Sequence, residues 1–320
     1  MSVRLEEIRA RLLSPDEEVV EDTLREHFTP VRRQTPLTFD WCPAWPVPPN
    51  EEHEDWLHRV GWEFIALANR AERRVRNWKF RRRLQRRPGR PVVVCEGDSW
   101  VAHPLLEDIA DHLFDDDGHD FNIWSKGAAG DLLADIEHAA EHETALAEVE
   151  ASAMLLSAGG NDLLTHFGEF LIEDAQTDDP AQRITPQVDV RMAELMCGLR
   201  RLVQGVHAVD PALPVVVHGY DYLQVADFGR GRFLGEFFDR AGLRGPDRQA
   251  TLTHIVDRYN EHVQAALADL PCVHYVNVRG AVEDRDDWFD EIHPKGRGFR
   301  EVTERIGAVL REVVVAARRS

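Results

Sequence analysis

Lysine is almost missing from this 320-residue chain: Lys79, Lys126 and Lys295 stand alone, and arginine makes up the rest of its 38 basic residues. Against 57 acidic residues these leave a formal net charge of −19, which excludes a general attraction of the body of the chain to nucleic acid. Cysteine is also scarce. Cys42, Cys95, Cys197 and Cys272 are scattered with no C-x-x-C spacing, so neither a disulfide framework nor a zinc site is expected, and reduced thiols suit a cytoplasmic location. No run approaches the roughly 18 apolar residues of a membrane span. The start, Met1-Ser2-Val3-Arg4-Leu5-Glu6-Glu7, mixes charges and lacks the apolar core of a signal peptide. What remains is the composition of a soluble globular protein, 43% hydrophobic and 30% charged, long enough for one large domain and an accessory segment.

Residues 1–87 differ from the rest and read as a helical arm. Ser2–Leu13 and Ser14–Phe28 have amphipathic spacing, with Ser14-Pro15-Asp16-Glu17 suited to cap the second helix. Pro36 to Asn50 holds five prolines and two tryptophans and is expected to be an ordered or draped linker. A long helix should run from Glu51 to about Gln85, stopping before Pro88-Gly89. Its last third, Arg70 to Arg90, is heavily basic, with Trp78 and Phe80 interleaved. This face could dock on the acidic body of the protein, or serve an anionic surface or protein partner.

From Pro91 onward strand and helix patterns alternate. Strands are expected at Val92–Cys95, Phe121–Ser125, Ala153–Ser157, Val215–His218 and Val273–Val278. Helices are expected at Leu105–Leu113, Asp131–Val149, Arg191–Val209, Leu252–Leu270 and Gly298–Ala317. The alternation implies a parallel sheet covered by helices on both faces. Thr165–Gln187 and Asp221–Gln249 are long for such connections and are candidates for site walls or lids.

Four motifs follow strands of this sheet. Cys95-Glu96-Gly97-Asp98-Ser99-Trp100 ends the first and puts a hydroxyl at the carboxyl edge, where open α/β folds bind ligands. Ser125-Lys126-Gly127-Ala128-Ala129-Gly130-Asp131 ends the second and can turn backbone N–H groups toward negative charge. Ala158-Gly159-Gly160-Asn161-Asp162 ends the third and offers a side-chain amide. Asp290-Glu291-Ile292-His293-Pro294 follows the fifth and places a carboxylate three residues before an imidazole. Singly these are ordinary turn, cap and surface chemistry. Their joint occurrence, in this order, is not.

In these four blocks the chain resembles the SGNH hydrolases, also called the GDSL esterase/lipase family. The resemblance covers about residues 90–320 and implies a three-layer α/β/α domain over 88–320 with a five-stranded parallel sheet, the flavodoxin-like fold of that family. It implies ester hydrolysis through an acyl-enzyme, with Ser99 as nucleophile, His293 as base and Asp290 orienting it. Ser99 N–H, Gly130 N–H and the Asn161 amide would form the oxyanion hole. Asp98 would structure the turn. No metal or cofactor is implied, and the substrate would be a small-molecule or lipid ester. Trp100 and Glu96 depart from the family pattern, and residues 1–87 have no counterpart in it.

Other residues are weighed beside these. Trp100, Tyr220 and Asp221 are expected to contact substrate. Phe228, Phe233, Phe237 and Phe238 could form an acyl wall or an insertion core. His103 could line the pocket or cap a helix, and Cys95 reads as core. Asp115 to Asp120 resembles a calcium loop in composition only. The competing reading is a non-catalytic or partner-tethered binding protein that uses the basic arm as its interaction surface.

Overall fold

Apolar spacing rather than helix propensity explains the amino-terminal part of the molecule. The computed structural model describes residues 2–32, 39–43, 62–103, 106–115, 119–225 and 233–318. They fall into two units, the described residues up to 88 and those from 89 onward. In the first, α1 (Ser2–Leu12) and α2 (Glu17–His27) are joined by a turn. There Ser14 Oγ accepts the Asp16 N–H and Asp16 Oδ1 accepts the Glu18 N–H, satisfying donors at the start of α2. Along α3 (Trp62–Arg86), Leu67, Ala71, Val75 and Trp78 recur every three or four residues and pack on Ile8, Leu12, Val20 and Leu24. This stripe is what holds so basic a helix in place. Arg74 crosses it to donate to the Leu12 carbonyl at the end of α1, with its guanidinium 4.9 Å from the Trp78 ring centroid. Arg81, Arg82, Arg86 and Arg87 are exposed.

One expectation for this unit is corrected. The proline-rich stretch is not all linker, because β2 (Phe39–Pro43) pairs antiparallel with β1 (Phe28–Arg32), Phe28 facing Pro43 and Arg32 facing Phe39. Two prolines at the edge of a two-stranded ribbon need not donate to a ladder, so they do not forbid it. The start of the long helix expected from Glu51 lies outside the described residues.

In the second unit, β3 (Val92–Gly97), β4 (Asn122–Ser125), β5 (Ala153–Ser157), β6 (Val215–His218) and β7 (Val273–Val276) form one sheet in the order β4-β3-β5-β6-β7. Every neighbouring pair is parallel. The central strands β3, β5 and β6 are buried along their whole length, as their continuous apolar runs require when helices cover both faces.

Helices α4 (Ile109–Asp115) and α11 (Gly296–Ala317) pack together on one face. On the other lie α5 (Leu133–Ala139), α6 (Glu141–Glu148), α8 (Gln187–Val209) and α10 (Pro246–Leu267). The stripe of α11, with Phe299, Val302, Ile306 and Leu310 fully buried, contributes about 1.5–3 kcal/mol per large side chain. The expected five-stranded α/β/α architecture is therefore the one observed. Because β3 lies between β4 and β5, the strand order reverses at β3, and the loops after β3 and β5 diverge there into a crevice.

The helix expected over Asp131–Val149 is two helices, broken at Ala140, which takes the left-handed conformation with φ 46°. No glycine or proline marks the break. The Thr165–Gln187 insertion is a built wall. Arg183 is buried within it and bonds the Thr177 carbonyl, the Asp247 carbonyl and the Asp247 carboxylate. The second insertion contributes α9 (Gly235–Arg240), while residues 226–232, including Phe228, lie outside the described residues. So do 116–118 of the calcium-like segment. Among the described residues no cluster of acids, histidines or cysteines is arranged to hold a metal ion, and no helix is long and apolar enough to cross a membrane.

Candidate active site

The serine turn is built on a glycine that no other residue could replace. Gly97 ends β3 with φ +145°, and a Cβ there would lie 1.9 Å from the Ser157 carbonyl oxygen of β5. This close approach lets the Asp98 N–H bond that same carbonyl at 3.0 Å and turns Ser99 over the edge of the sheet. Asp98 itself is buried. Its Oδ1 accepts the Trp100 N–H and the Ser157 hydroxyl, each at 3.0 Å, and its Oδ2 accepts the Tyr220 hydroxyl. Burial pushes the Asp98 carboxyl above the usual range while these donors oppose the shift. Burial likewise holds the Tyr220 phenol well above its ordinary value, so it stays a donor. Tyr220 Oη also accepts the Gly160 N–H at 3.1 Å. One phenol thus ties the residue before Ser99 to the residue before Asn161.

Ser99 Oγ lies 2.8 Å from His293 Nε2, and His293 Nδ1 lies 3.0 and 2.9 Å from the two Asp290 oxygens. With Nδ1–H directed at the carboxylate, Nε2 is left as an acceptor for the serine hydroxyl. All three side chains are buried. Asp290 is held by its own segment: Oδ1 accepts the Ile292 and His293 N–H groups at 2.9 and 2.8 Å. The segment is closed by the Phe289 N–H bond to the His293 carbonyl at 2.8 Å. Trp100 Nε1 donates to the Ile292 carbonyl at 3.1 Å, joining the serine turn to the histidine loop.

Asn161 opens α7 (Gly160–Thr165) and donates one amide hydrogen to the Asp131 carbonyl at 2.9 Å, leaving its second hydrogen to point elsewhere. Gly130 is buried with φ +89° in the turn before Asp131. Neither the Ser99 N–H nor the Gly130 N–H donates to another group among the described residues. Of the three expected oxyanion donors, Ser99 and Asn161 line the cavity beside the serine, and Gly130 is not among its lining residues.

A cavity opens beside Ser99, Asn161 and His293, walled by α7, α10 and the Thr165–Gln187 insertion. Trp100 and Tyr220 line it. Asp221 does not, and that expectation is corrected. Its carboxylate is turned away to accept the N–H groups of Tyr222, Gly280 and Val282, clamping the loop after β7. Phe237 and Phe238 pack on Phe167, their ring centroids 5.8 and 5.5 Å away, as the core of the insertion rather than its wall.

His103 is not among the residues lining the cavity, and the N–H it accepts lies ahead of α4 rather than in it. Its Nδ1 accepts the Leu106 N–H, and its ring stands edge-on 4.7 Å from His293. Cys95 is core. Glu291 was not singled out from sequence. Its buried carboxylate accepts the Phe233 and Leu234 N–H groups, which fastens the second insertion to the histidine loop. Tyr259, whose hydroxyl donates to the Ala158 carbonyl at 2.7 Å, is a second such residue. No local signal marks either, since both act through partners distant in sequence.

His218, at the end of β6, is buried against Trp100, and burial pulls its imidazole down to about 4. The unfolded chain takes up this proton near pH 6.5, so stability is intact above that value and drains as pH falls toward 4, by about 3 kcal/mol in all. In His218→Phe the loss of unfolding free energy between neutral pH and pH 4, read by urea titration, should be smaller by about that amount. Equal acid sensitivity in both proteins would contradict this.

Comparison with solved structures finds similarity to an extracellular lipase from Streptomyces rimosus, at 14% identity over 69% of this chain and 99% of that one, with a TM-score of 0.48. A lipase from a goat rumen metagenome matches at 14% identity over 68% and 96% of the two chains, TM-score 0.45. A mutant of an acetyl-xylooligosaccharide esterase from a Geobacillus matches at 14% over 70% and 94%, TM-score 0.43. No curated protein matches the chain. The model of the GDSL-like lipase/acylhydrolase family matches residues 72–301, well over half the sequence. By that match the chain belongs to the GDSL-like lipase/acylhydrolase family and is, by class, an esterase or lipase.

Proposed function

We propose that this protein hydrolyses carboxylic esters by a serine-dependent acyl-enzyme route, with residues 88–320 doing the chemistry and residues 1–87 as an appended arm. Ser99 Oγ attacks the ester carbonyl carbon while His293 Nε2 takes its proton. Asp290 keeps the imidazole in the right tautomer and stabilises the imidazolium. The oxygen that becomes negative lies toward Ser99 N–H, Gly130 N–H and the free Asn161 hydrogen. Collapse breaks the carbonyl–alkoxy bond, and the departing alcohol leaves with the His293 proton. Water, deprotonated by His293, then attacks the acyl carbon, releasing the acid and returning the proton to Ser99. Trp100 and Tyr220 would line the path of the substrate.

The observation behind this reading is the unbroken chain Ser99 Oγ–His293 Nε2, 2.8 Å, and His293 Nδ1–Asp290, 2.9 Å, wholly buried at the carboxyl edge of the sheet. Asp290→Asn tests it. The amide would accept the same backbone donors but offer N–H to Nδ1, turning the imidazole to the wrong tautomer, so kcat for a p-nitrophenyl ester should fall on the order of 10⁴-fold. A loss of less than tenfold would remove Asp290 from the mechanism.

A further inference from the structure

From the cavity beside Ser99 we infer that the enzyme selects esters of aliphatic acids longer than acetate, with the acyl chain lying between α7 and α10. The inference rests on the proposed acyl-enzyme reading and deepens it. Leu163, Leu164, Phe167, Leu252, Ile255 and Val256 supply the walls, and all six are buried. No lysine or arginine lines the space. Its two phenols are already committed: Tyr220 donates to Asp98 and accepts from Gly160, and Tyr259 donates to Ala158. Beyond Ser99, Asn161 and His293, little in these walls could then satisfy a sugar hydroxyl, a phosphate or an amine. Each polar group buried unsatisfied would lower affinity about five- to hundredfold. Each methylene taken into the cavity should instead raise it about fourfold.

The direction of the chain follows from the chemistry. The alcohol has to leave beside His293 Nε2, where it collects its proton. The apolar walls continue from Asn161, since Leu163 and Leu164 follow it on the same helix. The substituent that stays on the carbonyl carbon, the acyl chain, is the one aimed into the cavity. An acetyl group would leave most of these apolar walls without contact.

Two ester series on the full-length protein decide the matter. With p-nitrophenol as constant leaving group, kcat/KM should climb about fourfold per methylene from acetate through butyrate to hexanoate. With acetate as constant acid, lengthening the alcohol from methyl to hexyl should change it by less than about threefold, since no methylene then enters the cavity. A flat or falling acyl series, or chain dependence confined to the alcohol series, overturns the inference. Val256→Phe should lower the hexanoate-to-acetate ratio by about tenfold, the gain of the methylenes it displaces. If that variant does not fold, Leu223→Phe, at a half-buried position of the same wall, is expected to move the ratio in the same direction. An unchanged ratio there counts against the inference. Ser99→Ala run on the same esters separates the two levels: persistent turnover in it sinks the acyl-enzyme reading itself, whereas a silent Ser99→Ala with no acyl preference in the parent sinks only the chain selection.

Discussion

Replacing Ser99 by alanine should remove ester turnover, lowering kcat by on the order of 10⁶-fold while the protein stays folded. The size follows from the unit in which Ser99 acts: without the nucleophile, His293 and Asp290 have nothing to activate. What should survive is the proposed oxyanion stabilisation by Gly130, Asn161 and the backbone N–H at position 99, typically about 10³-fold over water. The fold should be spared because the hydroxyl's one described bond is to His293 Nε2. Losing a single buried hydrogen bond costs about 1 kcal/mol. Circular dichroism and urea unfolding close to those of the parent, with no p-nitrophenol released above background, is the predicted pair of results. A folded Ser99→Ala protein with activity within tenfold of the parent would require a different nucleophile.

The second large effect is structural. Gly97→Ala should destabilise the second unit by more than about 4 kcal/mol, enough to make it insoluble or unfolded at ambient temperature. The added methyl would meet a backbone carbonyl at 1.9 Å, and Gly97 sits at φ +145°, where an alanine is strained even without a neighbour. Ser157 cannot retreat easily. Its strand lies between β3 and β6, and its hydroxyl and carbonyl both bond Asp98. Gly89→Ala is the matched control, because a Cβ there has nothing within 4 Å. It should unfold with the parent. A Gly97→Ala protein within about 1 kcal/mol of the parent would mean that β3 and β5 do not approach as closely as described.

The sheet was legible because parallel strands buried on both faces must be continuous apolar runs, and Val92-Val93-Val94, Met154-Leu155-Leu156 and Val215-Val216-Val217 are such runs. Three of the four motif blocks directly end strands, and the fourth is drawn back over the same edge, so Ser99, His293, Asp290 and Asn161 come together in the folded chain. What stayed hidden acts across distance. The Tyr220 bond to Asp98 joins the loops after β6 and β3, and Leu163 and Val256, which line one cavity, stand on helices that the chain visits far apart. Asp221 misled because its position after β6 is right for a site residue. Only the fold reveals that its carboxylate is claimed by the N–H groups of its neighbour Tyr222 and of Gly280 and Val282 in the loop after β7. Ala140 carries no turn signal, yet it takes the left-handed conformation between α5 and α6, both of which pack on α8.

The central claim is that Ser99 is the activated nucleophile. Covalent labelling of the full-length protein with a fluorophosphonate, followed by peptide mass mapping, tests it most directly. One adduct per chain on Ser99, forming in step with loss of esterase activity and missing from Ser99→Ala, is the predicted result. A protein that hydrolyses esters yet takes no label, or takes it at another residue, would contradict it.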